Sequence, residues 1–323
     1  MKVLYTDFHA RDISVERQTL RDAGIELIEG QCRTEDDVIR MSEGCSALLI
    51  TYAPVNEKVF AARPEIGLCS RMGAGYDTIR VEDAKRHGVW VANSPDYGVG
   101  EVSTHALSMM LATIRGIVRF DHDVHQGNWH YSSTGRIPRA SNMTVGVLGL
   151  GRIGKRFAHL ARNLFKRVIA HDPYLLDGDF PAYVERVSIE ELFQQADAIS
   201  IHTLLNDETS GLVNARLLRM MKPASYLVNT SRGGVVNIDE LRTVLAENHL
   251  AGVGLDVLPK EPINPDDPLL NDRRVILSPH AAFYSVESEV ELRRKAAMNI
   301  VTWMRTGRPD YPVSIGTKQA PKA

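Results

Sequence analysis

The stretch Thr144–Gly154, T-V-G-V-L-G-L-G-R-I-G, constrains this chain more than any other. Val145, Val147 and Leu148 read as a buried strand running into a turn built on Gly149, Gly151 and Gly154. A helix follows, with Phe157, Leu160, Ala161 and Leu164 at the spacing of one buried face. Such a unit binds a dinucleotide when each glycine has a task. Gly149 allows the tight turn, Gly151 lets a pyrophosphate approach the backbone, and Gly154 lets helix and strand pack closely. The helix N-terminus then offers free N–H groups and a positive dipole end to the phosphates.

A glycine triplet alone is weak, because many strand-to-helix turns look similar. The context strengthens it. A second apolar run, Val168-Ile169-Ala170, ends in His171-Asp172, near the spacing expected of the acid that accepts from the adenosine ribose. The Asp172 carboxylate would repel a 2′-phosphate, and Pro173-Tyr174 follow it rather than an arginine, which favours NAD over NADP. Its plainer reading is a strand-end turn residue, since Asp-Pro is turn chemistry.

The chain has 323 residues, beyond the size of about 250–300 at which a single core stops growing, so two domains are expected. A net charge of −2 gives no nucleic-acid or anionic-membrane surface. Cys32, Cys45 and Cys69 show no metal or disulfide spacing, and a reducing cytoplasm is the simplest location. The N-terminus reads as a strand rather than a signal peptide, and no apolar run is long enough to span a membrane.

Residues 1–100 alternate strand and helix: strands near Val3–Tyr5, Ile25–Ile28, Ala47–Ile50 and Leu68–Ser70, helices near Val15–Ala23 and Glu35–Met41. That rhythm predicts a parallel α/β sheet. The loop Arg71-Met72-Gly73-Ala74-Gly75-Tyr76-Asp77 can present backbone N–H groups to a carboxylate. A plain strand-to-helix turn explains that segment equally well. Residues 101–118 have the periodicity of a long connecting helix. Residues 119–143 read as polar and irregular. His122, Asp123 and His125 lie close together there, but a solvated or subunit-contacting segment is favoured over a metal site. The tail after Gly316 is short, polar and expected to be disordered.

Beyond the glycine unit, four strands end in chemically capable residues: His202, Arg232, Asp256 with Glu261 just after, and His280. Ligands of a doubly wound sheet bind beyond the carboxyl ends of its strands. An arginine binds a carboxylate and polarises an adjacent carbonyl. A histidine exchanges a proton with an alcohol near neutral pH. A glutamate beside that histidine holds its tautomer and favours the imidazolium. Singly, Arg232 reads as a surface arginine, Glu261 as a loop acid and His280 as a capping or core histidine. Together with a nicotinamide they fit hydride transfer at a 2-hydroxy or 2-keto acid.

At these residues the chain resembles the D-isomer-specific 2-hydroxyacid dehydrogenases. The matching segments are Gly73–Asp77, Gly149–Gly154 with Asp172, Leu227–Gly234, Gly254–Pro262 and Ser278–Ala282. It is most similar to the C-terminal-binding-protein branch, through Arg71–Asp77, Asp172–Leu175 with Asp177-Gly178, Leu227–Thr230 and His280–Ser285. The resemblance implies a Rossmann domain at 100–286. It would be inserted into a smaller, discontinuous, flavodoxin-like substrate domain at 1–99 and 287–323. It implies that Arg232 binds substrate, that His280 is the acid–base group and that Glu261 is its partner. Thr104, Arg152, Ile153, His202, Thr209, Thr230 and Asp256 would join the glycines and Asp172 in lining NAD. Asp256 would accept from the nicotinamide carboxamide. Ala74, Gly75 and Arg71 would grip the substrate carboxylate, with Tyr52 and Phe283 shaping the pocket. Phe283 stands where the eukaryotic branch has tryptophan. A homodimer, hinged cleft closure and no metal complete the expectation. An NAD(H)-sensing scaffold and a phosphite dehydrogenase are the competing readings.

Overall fold

The computed structural model describes residues 1–8 and 12–321. The chain divides into two compact units, Met1–Gly98 with Ser285–Ala323, and Val99–Tyr284.

The first unit is built on strands Lys2–Tyr5 (β1), Glu26–Glu29 (β2), Ala47–Ile50 (β3), Leu68–Arg71 (β4) and Trp90–Ala92 (β5). They pair in parallel in the order β5-β4-β3-β1-β2, the flavodoxin-like arrangement. β1, β3 and β4 are buried almost throughout, as a sheet covered by helices on both faces demands. One face is closed by the 21-residue helix Val286–Thr306, whose Ala296, Ala297, Ile300 and Trp303 pack on Val3, Leu49 and Leu68. Ser285 opens that helix with a capping box, and Gly307, at φ +78°, ends it.

Two features of this unit differ from the sequence reading. A short strand, Pro312–Ser314, adds antiparallel to β5. The tail beyond Gly316 was expected to be disordered, yet its described part is tied down. Thr317 and Lys318 both donate backbone N–H groups to Gly88, and Lys318 Nζ donates to the carbonyls of Pro64 and Ile66. A polar composition hid these main-chain partners. Residues 322–323 lie outside the described residues.

The second unit holds a parallel sheet of seven strands. These are Thr144–Leu148 (β6), Arg167–His171 (β7), Glu185–Arg186 (β8), Ala198–Ile201 (β9), Ser225–Asn229 (β10), Leu250–Leu255 (β11) and Val275–Leu277 (β12). Their order is β12-β11-β10-β9-β6-β7-β8. The order reverses between β6 and β9, the switch point of a Rossmann sheet. One face carries Leu192, Phe193, Leu217, Leu241 and their neighbours. The other is covered by Met109, Met110, Phe157 and Ala161.

Helix limits differ from the periodicity in two places. The connecting helix runs over Val99–Arg115 and stops at Gly116, which is left-handed at φ +65°. A second helix, Ile117–His125, then occupies the start of the segment expected to be irregular. Its Asp123 pairs with Arg273, and His125 bonds the Asp121 carbonyl at 2.9 Å. The helix after the glycine turn ends at Ala161, so Leu164 falls outside it and is 40% exposed rather than buried.

Candidate active site

The glycine turn links β6 to the helix Arg152–Ala161. Gly149 has φ +89°, and a Cβ there would come within 2.9 Å of the His202–Thr203 backbone. A Cβ on Gly154 would lie 2.1 Å from the Gly149 carbonyl oxygen. Both positions therefore exclude a side chain. At Gly151 a Cβ would meet nothing within 4 Å, so the backbone there borders open space. Gly151 caps the helix without a side-chain hydrogen bond, leaving the first-turn N–H groups of Arg152 and Ile153 in place for an anion.

Asp172 follows β7 beside this turn. Its carboxylate accepts from the Leu150 N–H at 2.8 Å and the Tyr174 N–H at 3.0 Å, and so braces the glycine turn. The Tyr174 hydroxyl bonds Glu208. Thr209 donates its hydroxyl to the Leu204 carbonyl at 2.6 Å, and Thr104 donates to the Gly100 carbonyl at 2.8 Å.

Two buried polar atoms at strand ends lack a partner among the described residues: Thr230 Oγ1 after β10 and His202 Nδ1 after β9. Such atoms are costly unless something else satisfies them. With the glycine cradle they fit a bound dinucleotide. The other nitrogen of His202 bonds Ser200 Oγ at 2.8 Å. The residue as a whole is half-buried, but burial of the ring pushes its pKa down to about 3.

The proposed trio shares the same unit. His280 Nδ1 lies 2.8 Å from Glu261 Oε2, and Glu261 Oε1 accepts from the Leu258 N–H at 2.9 Å. Nδ1 therefore carries the proton of that contact, which leaves Nε2 as the nitrogen able to exchange one. Burial raises the Glu261 pKa. The bonds from His280 and Leu258 and the charges of His280 and Arg232 outweigh it and hold the carboxyl below its ordinary range. Arg232 leads out of β10. Asn229 shapes that exit, accepting from the Ser231 N–H at 3.0 Å and donating to the Arg232 carbonyl at 2.9 Å. Gly233 comes next, and a Cβ on it would lie 1.9 Å from the carbonyl carbon of Leu258. Only glycine lets the Arg232 loop press against the loop that carries Glu261.

His280 has φ +53°, a left-handed backbone that β-carbon sterics disfavour. Such strain persists only where the surroundings over-determine it. The Asp256 carbonyl accepts from the His280 N–H at 2.8 Å, and the Asp256 carboxylate accepts from Ala281, Ala282 and Ser278. Phe283 sets its ring edge-on to the His280 ring, with centroids 6.4 Å apart.

Four expected substrate contacts belong to the first unit. Arg71 is 8% exposed, and its guanidinium stands 5.8 Å from the Tyr52 ring centroid. One guanidinium nitrogen donates to the Met72 carbonyl at 2.6 Å. Gly73, at φ +146°, leaves the space that this side chain crosses, since a Cβ there would overlap Arg71. The next turn is pinned by Asn93, which donates to the Ala74 carbonyl at 2.6 Å. Asp7, missed by the sequence reading, accepts from the N–H groups of Thr51, Tyr52 and Ala53 and so fixes the Tyr52 loop.

A Rossmann sheet with a glycine cradle and a histidine–glutamate pair at its strand ends points to a class, the dinucleotide-dependent oxidoreductases. The comparisons narrow it. Residues 107–282 match the D-isomer specific 2-hydroxyacid dehydrogenase, NAD binding domain. A glyoxylate reductase of Korarchaeum cryptofilum is 34% identical over 280 residues, 83% of this chain and 82% of that protein. A solved glyoxylate reductase from Paecilomyes thermophila superposes with a TM-score of 0.86 at 25% identity, over 97% of both chains. An NADPH-dependent glyoxylate/hydroxypyruvate reductase of Sinorhizobium meliloti, solved with NADP and malonate, gives 0.87 at 25% identity over 99% of both. The chain belongs to the D-isomer-specific 2-hydroxyacid dehydrogenase family, NAD-dependent oxidoreductases that interconvert 2-hydroxy and 2-keto acids. These likenesses do not single out the C-terminal-binding-protein branch. Among the described residues, no helix is long and apolar enough to cross a membrane.

Proposed function

We propose that this protein reduces a small 2-keto acid to the D-2-hydroxy acid with Arg232, Glu261 and His280 as its catalytic set. The observation that carries the reading is the 2.8 Å contact between His280 Nδ1 and Glu261 Oε2 beside the Arg232 loop. Bound NADH supplies the hydride. Arg232 binds the substrate carboxylate and polarises the 2-keto oxygen. His280 Nε2 gives its proton to that oxygen and takes it back in the reverse reaction. Glu261, held ionised, keeps Nδ1 protonated and stabilises the imidazolium. Ala74 and Gly75 offer backbone N–H groups to the carboxylate and Arg71 a second positive charge.

For the cofactor we propose Gly149, Gly151, Arg152, Ile153 and Gly154 at the pyrophosphate, and Asp172 at the adenosine ribose. Thr104, His202, Thr209, Thr230 and Asp256 line the remainder. NAD is favoured over NADP because the Asp172 carboxylate would face a 2′-phosphate with like charge. We place the enzyme in the cytoplasm, because all three cysteines are free and buried. Burial pushes the Cys32 and Cys45 thiols up to about 11, which leaves them unreactive. We also propose a homodimer through the helix Ile117–His125 and the segment after it. Ile117, Val118, Trp129 and Tyr131 are 56%, 49%, 85% and 86% exposed there, large apolar side chains left in solvent within one short stretch of chain.

Arg232→Ala and His280→Ala should each lower kcat/KM for 2-keto acids by about 10²–10⁴-fold while NADH binding persists. Steady-state rates paired with NADH fluorescence titration test this. Loss of NADH binding in both variants would show that the assigned roles are wrong.

A further inference from the structure

The turn that carries His280 is held from one side by a buried acid and from further out by a second histidine. Asp256, 2% exposed, uses its main chain and its side chain on this turn. Its carbonyl accepts the His280 N–H at 2.8 Å. Its Oδ1 accepts the Ala281 N–H at 2.8 Å and the Ser278 hydroxyl at 2.5 Å, and its Oδ2 accepts the Ala282 N–H at 3.0 Å. These bonds bracket the one residue of the turn with a left-handed backbone, His280 at φ +53°.

Ser278 gives its only hydroxyl proton to Asp256, so its lone pairs must accept from elsewhere. His105 Nε2 lies 3.0 Å from that hydroxyl oxygen and 3.7 Å from Asp256 Oδ1. The network therefore assigns the proton to Nε2 of His105, which donates to Ser278. His105 sits on the helix Val99–Arg115, an element separate from the turn. It locks the Ser278 hydroxyl in the one rotamer that reaches Asp256. Without that donor the hydroxyl has a choice of rotamers, and Asp256 Oδ1 loses a fixed partner.

We infer that His105 is a positioning residue for His280, acting through Ser278 and Asp256. It orders the strained turn so that Nε2 of His280 stays aimed at the reacting oxygen. The effect belongs on kcat, because a proton donor out of line is costly even at small displacements, whereas the proposed carboxylate contacts lie on other residues. The inference rests on the acid–base role proposed for His280.

The test compares purified His105→Leu, His105→Asn and His105→Gln with the wild type and with His280→Ala, in NADH-dependent reduction of a 2-keto acid. His105→Leu and His105→Asn should lower kcat about tenfold with KM for the 2-keto acid nearly unchanged. His105→Gln, whose side-chain N–H reaches about as far as Nε2, should recover most of the rate. Adding His105→Leu to His280→Ala should cost nothing further, since the group being positioned is gone. An unchanged kcat in His105→Leu and His105→Asn, no recovery in His105→Gln, or an additive loss in the double variant would each overturn the inference. Wild-type kcat in His280→Ala would instead overturn the acid–base assignment on which it rests. His105→Asn keeps a polar group at the site, so the test stands even if His105→Leu does not fold.

Discussion

His202 shows how one side chain records its surroundings. Its ring packs 5.0 Å from that of Phe157 and keeps one nitrogen sealed from solvent and unpaired among the described residues. Desolvation favours the neutral ring, so the folded pKa drops from 6.5 to about 3. The sign follows from proton uptake. Above 6.5 both folded and unfolded states are neutral and the residue contributes no pH dependence. As pH falls below that value, the unfolded chain gains a proton that the folded ring refuses, so stability declines until about pH 3. The loss is at most about 1.4 kcal/mol per pH unit. His202→Gln should flatten the fall in Tm between pH 6.5 and 4 in thermal melts, and an unaltered slope would contradict the assignment. Glu261 carries the opposite charge and the same sign. Its lowered pKa supports the fold above the free carboxyl range, and that support fades as pH falls through the folded value. Its partial exposure keeps the contribution small.

At the scale of elements, the first unit depends on a pair far apart in sequence. Arg293, on the helix Val286–Thr306, grips Glu16 on the helix Ser14–Arg21 with contacts of 2.9 and 2.8 Å. The Tyr5 hydroxyl adds a bond to Glu16 at 3.3 Å. Glu16 is fully buried and the Arg293 side chain is 9% exposed. Arg293→Met would leave the carboxylate buried without its counter-charge, a loss of about 3–5 kcal/mol. Glu16→Leu combined with Arg293→Met should recover much of that loss, because no lone charge remains. Thermal melts of the three proteins check both statements, and equal melting points for the single and double variants would refute them.

What the sequence revealed differs by element for physical reasons. β6, the glycine turn and Asp172 were legible because a dinucleotide cradle needs fixed residue types at fixed spacing. Arg232, Glu261 and His280 were legible because each ends or follows a strand, where a doubly wound sheet collects its chemistry. The Arg293–Glu16 grip was not, since nothing local joins residues 277 positions apart. Nor were His105 and Ser278, whose importance arises only when a helix is packed against a turn. The left-handed backbone of His280 leaves no mark in composition. The helix Ile117–His125 was hidden by a polar flank, although Gly116 was the available signal for its break from the helix before it.

For the molecule as a whole, the exposed apolar side chains of Ile117, Val118, Trp129 and Tyr131 are the surface on which the proposed dimer rests. Trp129→Ser with Tyr131→Ser should shift the light-scattering mass of the purified protein from twice the 35.9 kDa chain mass towards one chain. A wild-type protein that elutes as a monomer would contradict the dimer. The proposed catalytic set lies within the Rossmann unit, so dimer and chemistry can be tested separately.

The reaction itself is read by NADH oxidation. The purified protein should be mixed with NADH or NADPH and a panel of glyoxylate, hydroxypyruvate, pyruvate and longer 2-keto acids, and with NAD and phosphite in a separate arm. Rapid NADH oxidation is expected with at least one 2-keto acid, with a D-configured product wherever the product is chiral, slower use of NADPH, and no reduction of NAD by phosphite. A protein that binds NADH yet oxidises it with no member of the panel, or that reduces NAD only with phosphite, would contradict it.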